Sequence, residues 1–157
     1  MPDTCPECGA RLSGNASCQA IFEDFLVLEF TDPGYGAVHM LTVACFTIQH
    51  GRYSDEALVW IEGKLREYLE EGSSTEQIRR QAGKEADQQA RTWKVTRQPD
   101  APRLPKIAWS MTIADVASRA QDAKSYCEQV ELWARVTLHE MKPWLSTPEE
   151  SSPGSLK

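Results

Sequence analysis

Two cysteines near the start of the chain have the spacing of a metal-binding turn. They stand in the run Cys5-Pro6-Glu7-Cys8-Gly9. Two thiolates two residues apart can reach one ion from a tight turn, and the glycine that follows lets backbone N–H groups face the sulfur atoms. The run therefore predicts a zinc knuckle. The alternatives are a pair of free thiols or a redox couple, although no thioredoxin-like strand precedes the motif.

A tetrahedral zinc site needs two ligands beyond the two thiolates of the knuckle. Cys18, ten residues after Cys8, is the nearest candidate for the third ligand. The fourth must be a histidine or another cysteine. Cys45 stands among apolar residues and is interpreted as a small residue of the core, since free cysteine is often buried. The choice of the fourth ligand therefore depends on how the chain folds after Cys18.

Two helices are predicted in the first third of the chain. Apolar residues at helical spacing predict one helix over 18–30 and a second from about 35 to 50, and Pro33-Gly34 interrupts the pattern between them. In an antiparallel pair, residues equidistant from the turn lie side by side, because each helical residue rises by about 1.5 Å. Cys18 precedes Pro33 by 15 residues and His50 follows it by 17. These two side chains are therefore expected at the same end of the pair.

This geometry predicts that four side chains bind one Zn²⁺ ion. They are Cys5, Cys8, Cys18 and His50. The alternative for His50 is an ordinary histidine at a helix C-terminus, where a positive charge is also favoured. His39 precedes His50 by about 16 Å along the helix axis and belongs at the turn end of the pair.

The remaining pattern is also helical, which predicts an all-α fold: a helical bundle with an N-terminal zinc knuckle. Residues 1–145 are predicted to form a single helical domain, with the knuckle at 5–18. Residues 146–157 are rich in Ser, Pro and Glu and are predicted to be a disordered tail. The further predicted helices begin and end near 54–69, 76–93, 112–120 and 122–141, and an extended connector is predicted over 98–106.

The composition limits the function classes. The net charge is −6. Proteins that bind the phosphates of nucleic acid usually have a basic face, so no nucleic-acid partner is expected. No apolar run is long enough to cross a membrane, and the N-terminus lacks the pattern of a secretory signal. The five cysteines are then expected to stay reduced, in the cytoplasm, where a Cys-x-x-Cys pair favours metal or redox chemistry.

The chain resembles a bacterial family known as domain of unknown function 5946. The matching stretches, about half of the chain, are CPECGARL, then SCQAIFEDFLVLEFTDPGYGAVHMLTVACFTIQH, and MTIADVASRA with VELWARVTLHEMKPW. The resemblance implies that Cys5, Cys8, Cys18, His39 and His50 belong to the family pattern, with His39 opening an H-x-x-T-V motif. It implies no activity, because the family has none assigned.

Three functions compete at this point. The leading one is a structural zinc site in a binding or regulatory protein whose protein partner is unknown. The alternative is a metal-dependent enzyme that uses His39 and His139 in a bundle pocket, with Glu29 beside the first histidine and Glu140 beside the second.

The third is recognition of a partner through the knuckle itself. Trp109 and Trp144 lie near predicted loops and are the tryptophans best placed to cover a groove. The acidic balance again argues for a protein partner over nucleic acid.

Overall fold

The apolar residues at helical spacing form helices in the computed structural model, which describes residues 3–14, 16–70 and 94–145. The described residues contain seven helices and one short hairpin, so the predicted all-α fold with an N-terminal knuckle is confirmed. The helix predicted over 76–93 and the tail 146–157 lie outside the described residues. The elements are β1 Asp3–Thr4, β2 Arg11–Leu12, α1 Cys18–Thr31, α2 Pro33–Gly36, α3 His39–Gln49, α4 Asp55–Leu69, α5 Ile113–Arg119, α6 Ala123–Glu140 and α7 Lys142–Leu145.

The N-terminal segment is a small antiparallel hairpin. Asp3 pairs with Leu12 and Thr4 with Arg11. Gly9 turns the chain with a φ of 81°, a left-handed conformation that glycine adopts without steric cost. Strands of two residues are too short to show an alternating pattern, so helical and strand periodicity could not reveal this hairpin.

Side chains cap the first helix and the turn that follows it. The side chain of Ser17 accepts a hydrogen bond from the Ala20 N–H, which satisfies one of the free donors of the first turn of α1. At the other end, Asp32 is extended, and its carboxylate accepts a hydrogen bond of 2.9 Å from the Gly34 N–H. Asp32 therefore ends α1 and caps the single turn of α2.

The predicted start of the second helix, near residue 35, is wrong. Tyr35 and Gly36 belong to the separate turn α2, and α3 begins only at His39. Val38 has a φ of −108° and a ψ of 18°, which interrupts the helical backbone between them. Apolar spacing continues through this break, so the pattern alone merged two elements into one.

The helices α1 and α3 run antiparallel, as predicted. The rings of Phe22 and Phe46 stack at 4.0 Å in the middle of the pair. At the turn end, Glu29 lies within hydrogen-bonding distance of His39 and Thr42. This pairing places the start of α1 beside the end of α3.

The core lies between α3, α4, α5 and α6: α6 packs against the other three, and α4 also contacts α3. The side chains of Leu41, Cys45 and Ile48 in α3 are completely buried, and Trp133 of α6 packs in the same core. Gln49 links the elements because its Nε2 donates to the Met111 carbonyl at 3.0 Å and to Thr137 Oγ1 at 2.9 Å. The bundle is thus closed around the end of α3.

The later helices begin at their predicted caps. Ser54 accepts a hydrogen bond from the Ala57 N–H at the start of α4, and Asp122 accepts one from the Ser125 N–H at the start of α6. Asp115 accepts a hydrogen bond from the Thr112 N–H before α5. The division into one domain over 1–145 and a tail stays a prediction.

The close approach of α2 to α1 predicts the effect of a single methyl group. A Cβ on Gly36 would lie 2.6 Å from the carbonyl oxygen of Glu29, whereas a Cβ on Gly63, within α4, would meet no atom within 4 Å. We expect Gly36→Ala to lower the free energy of unfolding by about 1–3 kcal/mol through overpacking. Gly63→Ala is the matched control and should raise it by up to about 1 kcal/mol through helix propensity. Urea denaturation measures both, and equal effects would contradict the contact.

Candidate metal centre

Three structural elements bring four side chains together at one end of the helix pair. The hairpin supplies Cys5 and Cys8, Cys18 is the first residue of α1, and His50 directly follows α3. Their ligand atoms all lie within 4.8 Å of one another, and all four residues are buried. The residues predicted from spacing therefore lie close together in a cluster that could hold a metal ion.

Two distances within this cluster match those of a tetrahedral site. Cys5 Sγ lies 3.7 Å from His50 Nε2, and Cys8 Sγ lies 3.6 Å from Cys18 Sγ. Ligand atoms at metal distances of about 2.3 Å for sulfur and about 2.0–2.1 Å for nitrogen are separated by about 3.5–3.8 Å in a tetrahedron. All three cysteines of the cluster, like the other two in the chain, are free of disulfide bonds. The spacing therefore fits a metal ion coordinated by all four side chains.

The imidazole of His50 is oriented by the helix that precedes it. Its Nδ1 lies 2.7 Å from the carbonyl oxygen of Phe46, which can only accept a hydrogen bond. Nδ1 therefore carries a proton, and Nε2 is the ring nitrogen that faces the sulfur of Cys5. Nε2 is thus the atom available to bind a metal ion, while Nδ1 makes the outer-shell hydrogen bond usual for such ligands.

The thiols of the cluster share their protons. A hydrogen bond joins the sulfur atoms of Cys8 and Cys18. This bond lowers the pKa of Cys8 against the opposing effect of burial, and contacts with His50 and the Ala10 backbone lower it further. The same bond, together with burial and the neighbouring sulfur charges, raises the pKa of Cys18. A cation that replaced the shared proton would stabilise all three thiolates, so metal affinity must depend on pH.

The two remaining cysteines lie outside the cluster. Cys45 is fully buried, and burial raises its pKa to about 12, so its thiol is protonated at neutral pH. Its interpretation as a core residue is confirmed. Cys127 donates a hydrogen bond from its thiol to the Gly34 carbonyl, at the opposite end of the helix pair.

A second polar cluster occupies the turn end of the α1–α3 pair; we call it the Glu29 cluster. The Glu29 side chain is completely buried and accepts hydrogen bonds from Thr42 and Tyr126 at 2.5 Å each, with His39 Nδ1 at 2.7 Å. The sequence predicts the Glu29–His39 contact. It does not reveal Tyr126, which is distant in the chain and meets Glu29 only through the packing of α6. Burial and the hydrogen bond to Glu29 raise the pKa of Tyr126.

The predicted pocket containing both His39 and His139 is wrong. His139 is exposed near the end of α6, thirteen residues after Tyr126, which contacts the Glu29 cluster. That separation corresponds to about 20 Å along the helix axis. Glu140, expected beside His139, instead accepts a hydrogen bond from the Ser110 N–H at 2.8 Å. The two histidines therefore lie at opposite ends of the bundle.

The fold and the cluster define a helical-bundle protein with a Cys3His group that could hold a metal ion. The model of a family of unknown function, DUF5946, matches residues 3–142, so the chain belongs to that family. Neither a curated protein nor a solved structure matched the chain. Among the described residues, no helix is both long enough and apolar enough to cross a membrane.

The Glu29 cluster predicts a difference between two tyrosines. Tyr126→Phe removes a donor from a buried carboxylate and should lower the free energy of unfolding by about 1–3 kcal/mol. Tyr35→Phe is the matched control, because its ring packs against Tyr126 at 5.0 Å without a hydrogen bond from its hydroxyl to any described residue. It should change stability by less than about 0.5 kcal/mol. Urea denaturation at neutral pH compares the two, and a Tyr126→Phe protein as stable as the parent would contradict this role.

Proposed function

We propose that Cys5, Cys8, Cys18 and His50 bind one Zn²⁺ ion in a closed structural site. The observation that carries this proposal is the burial of four ligand atoms within 4.8 Å of one another. Three thiolates and one imidazole at tetrahedral spacing suit zinc, since soft sulfur ligands favour it over magnesium, calcium or manganese. Four protein ligands leave no position for a reactive water, so the ion contributes to folding.

The proposed ion holds the hairpin against the bundle. The hairpin itself has only two residue pairs, and its ion pair with the bundle, Glu7–Arg52 at 3.1 Å, is half exposed on both sides. Exposed ion pairs contribute little to stability, typically about 0–1 kcal/mol. A structural zinc ion contributes far more, with apparent binding energies of about 10–16 kcal/mol in small zinc domains. Zinc is therefore the main link between residues 3–18 and the ends of α1 and α3.

We further propose that the assembled protein is a binding or regulatory module for a protein partner in the cytoplasm. Val27 and Phe30, three residues apart on one face of α1, are 61% and 73% exposed. Exposed apolar side chains that lie together often mark an interaction surface. Cysteines without disulfide bonds are maintained in a reducing compartment, which supports the cytoplasmic location.

Metal analysis tests the ligand set. The purified chain should contain one zinc ion, and the cobalt-substituted protein should show the visible absorption of a tetrahedral thiolate site. Cys18→Ser and His50→Ala should each lose the ion or bind it at least about tenfold more weakly, because a closed site then lacks one ligand. His50→Cys should retain it, since four thiolates also form a closed tetrahedral site.

Cys127→Ser is the matched control for this series, since its thiol lies outside the cluster. It should bind one zinc ion like the parent chain. The proposal would be contradicted if the parent protein kept its full thermal stability after a chelator had removed all the zinc. X-ray absorption spectra of the zinc-loaded protein that show fewer than three sulfur ligands would contradict it as well.

Removal of zinc should act first on the hairpin. Chelation should lower the melting temperature and expose residues 3–14 to rapid proteolysis, because the two residue pairs of the hairpin are too few to hold it folded by themselves. Limited proteolysis followed by mass spectrometry locates the first cleavage. A first cut inside α6 would show that the ion supports the bundle as a whole and contradict this division of roles.

A further inference from the structure

A cleft of about 430 Å³ opens beside the metal centre, within the size range of about 300–1,000 Å³ typical of small-ligand sites. The metal-centre side of its wall contains Glu7 and His50. The facing wall is the connector between α4 and α5, whose described part, 94–112, contains no helix. Trp109 and Trp144 lie on the same wall, as expected for tryptophans that cover a groove.

The charge of this cleft is opposite to that of the chain. Among the described residues, four cationic side chains and one acidic side chain line it, although the whole chain has a net charge of −6. Arg103 and Lys106 are exposed and have no ion-pair partner among the described residues. The side chain of Arg52 is 46% exposed, and among the described residues its one ion-pair partner is Glu7. Unpaired cations around a concavity concentrate anions.

The fourth cation, Arg97, holds the wall in place. Its guanidinium donates to Asp55 Oδ1 at 2.7 Å and to the Pro102 carbonyl, and the backbone of Thr96 bridges to Tyr53 before α4. Trp144 Nε1 donates to the Pro105 carbonyl at 2.7 Å and fixes the other end of the connector. The cleft is therefore formed before any ligand enters, which lowers the entropic cost of binding.

The inner part of the cleft is apolar and aromatic. Trp109 and Trp144 pack edge to face with their ring centroids 5.4 Å apart. Leu104 and Ile107 are partly buried against the core and extend the same wall. An apolar wall beneath a cationic rim is complementary to a flat apolar body that carries an anionic group.

We propose that this cleft binds a small organic anion, in which a carboxylate or phosphate group is attached to a flat apolar body. Arg103 and Lys106 hold the anionic group, and the ring or chain of the ligand lies against Trp109 and Trp144. Guanidinium and ammonium groups form strong, charge-assisted hydrogen bonds to both anions. This inference goes beyond the structural zinc site, which explains none of these cations.

Titration of the zinc-loaded full chain tests the proposal. Phenyl phosphate and benzoate are the probes, inorganic phosphate tests the anion alone, and benzyl alcohol tests the ring alone. Tryptophan fluorescence and calorimetry should show binding of phenyl phosphate, benzoate or both, and the stronger of the two identifies the anionic group. The stronger probe should bind at least about tenfold more tightly than inorganic phosphate, because its ring buries apolar surface. Benzyl alcohol should not bind measurably.

Two variants separate this site from general electrostatics. Arg103→Ala combined with Lys106→Ala should weaken the stronger probe at least about tenfold, since both charge-assisted contacts are lost. Lys124→Ala is the matched control, because Lys124 is equally exposed but lies at the far end of α6. It should leave the affinity unchanged. Zinc content and circular dichroism, measured on each variant, keep a folding or metal defect distinct from a binding defect.

Three results would overturn the proposal. The first is no binding of either aromatic anion at millimolar concentration to zinc-loaded protein. The second is an affinity that the double variant does not change or that Lys124→Ala reduces equally. The third is inorganic phosphate bound as tightly as the aromatic probes, which would remove the role of the tryptophan wall.

Discussion

The antiparallel contact between α1 and α3 determines where every other feature of the molecule lies. Its centre is apolar, with Phe22 stacked on Phe46. One end gathers the sulfur atoms of the hairpin and of Cys18 around His50, and the other end buries Glu29 against His39. If the two helices crossed at a wide angle, neither polar group could form, because each depends on residues that are close only when the helices run side by side.

The two ends of this pair solve the problem of buried charge in different ways. The Glu29 carboxylate is surrounded by donors from three side chains, so the protein itself compensates its charge. The sulfur cluster has few such donors: one thiol donates to its neighbour, and the Ala10 N–H reaches Cys8. Three thiolates would repel one another there without a cation. The first end is therefore complete as a protein structure, while the second has the chemistry of a site that a metal ion stabilises.

Much of this arrangement could be predicted from residues alone. The distances of Cys18 and His50 from Pro33 place them at the same end of a helix pair, and the capping residues Ser17, Ser54 and Asp122 indicate where three helices begin. Other parts depend on contacts that periodicity does not report. The break before α3 lies inside a continuous apolar pattern, Tyr126 joins Glu29 from a remote helix, and the cleft is built by a connector without helical or strand repeats.

The hydrogen bond between His50 and the Phe46 carbonyl has a consequence for the last turn of α3. That carbonyl accepts from both the backbone N–H of His50, at 3.1 Å, and its ring Nδ1, at 2.7 Å. The final turn of a helix normally frays, since its carbonyls lack partners. Here, unwinding the turn would also move the imidazole away from the sulfur atoms, so binding of the proposed zinc ion would favour the wound helix. Slow deuterium uptake at the last amides of α3 would then indicate that His50 is bound to the proposed ion.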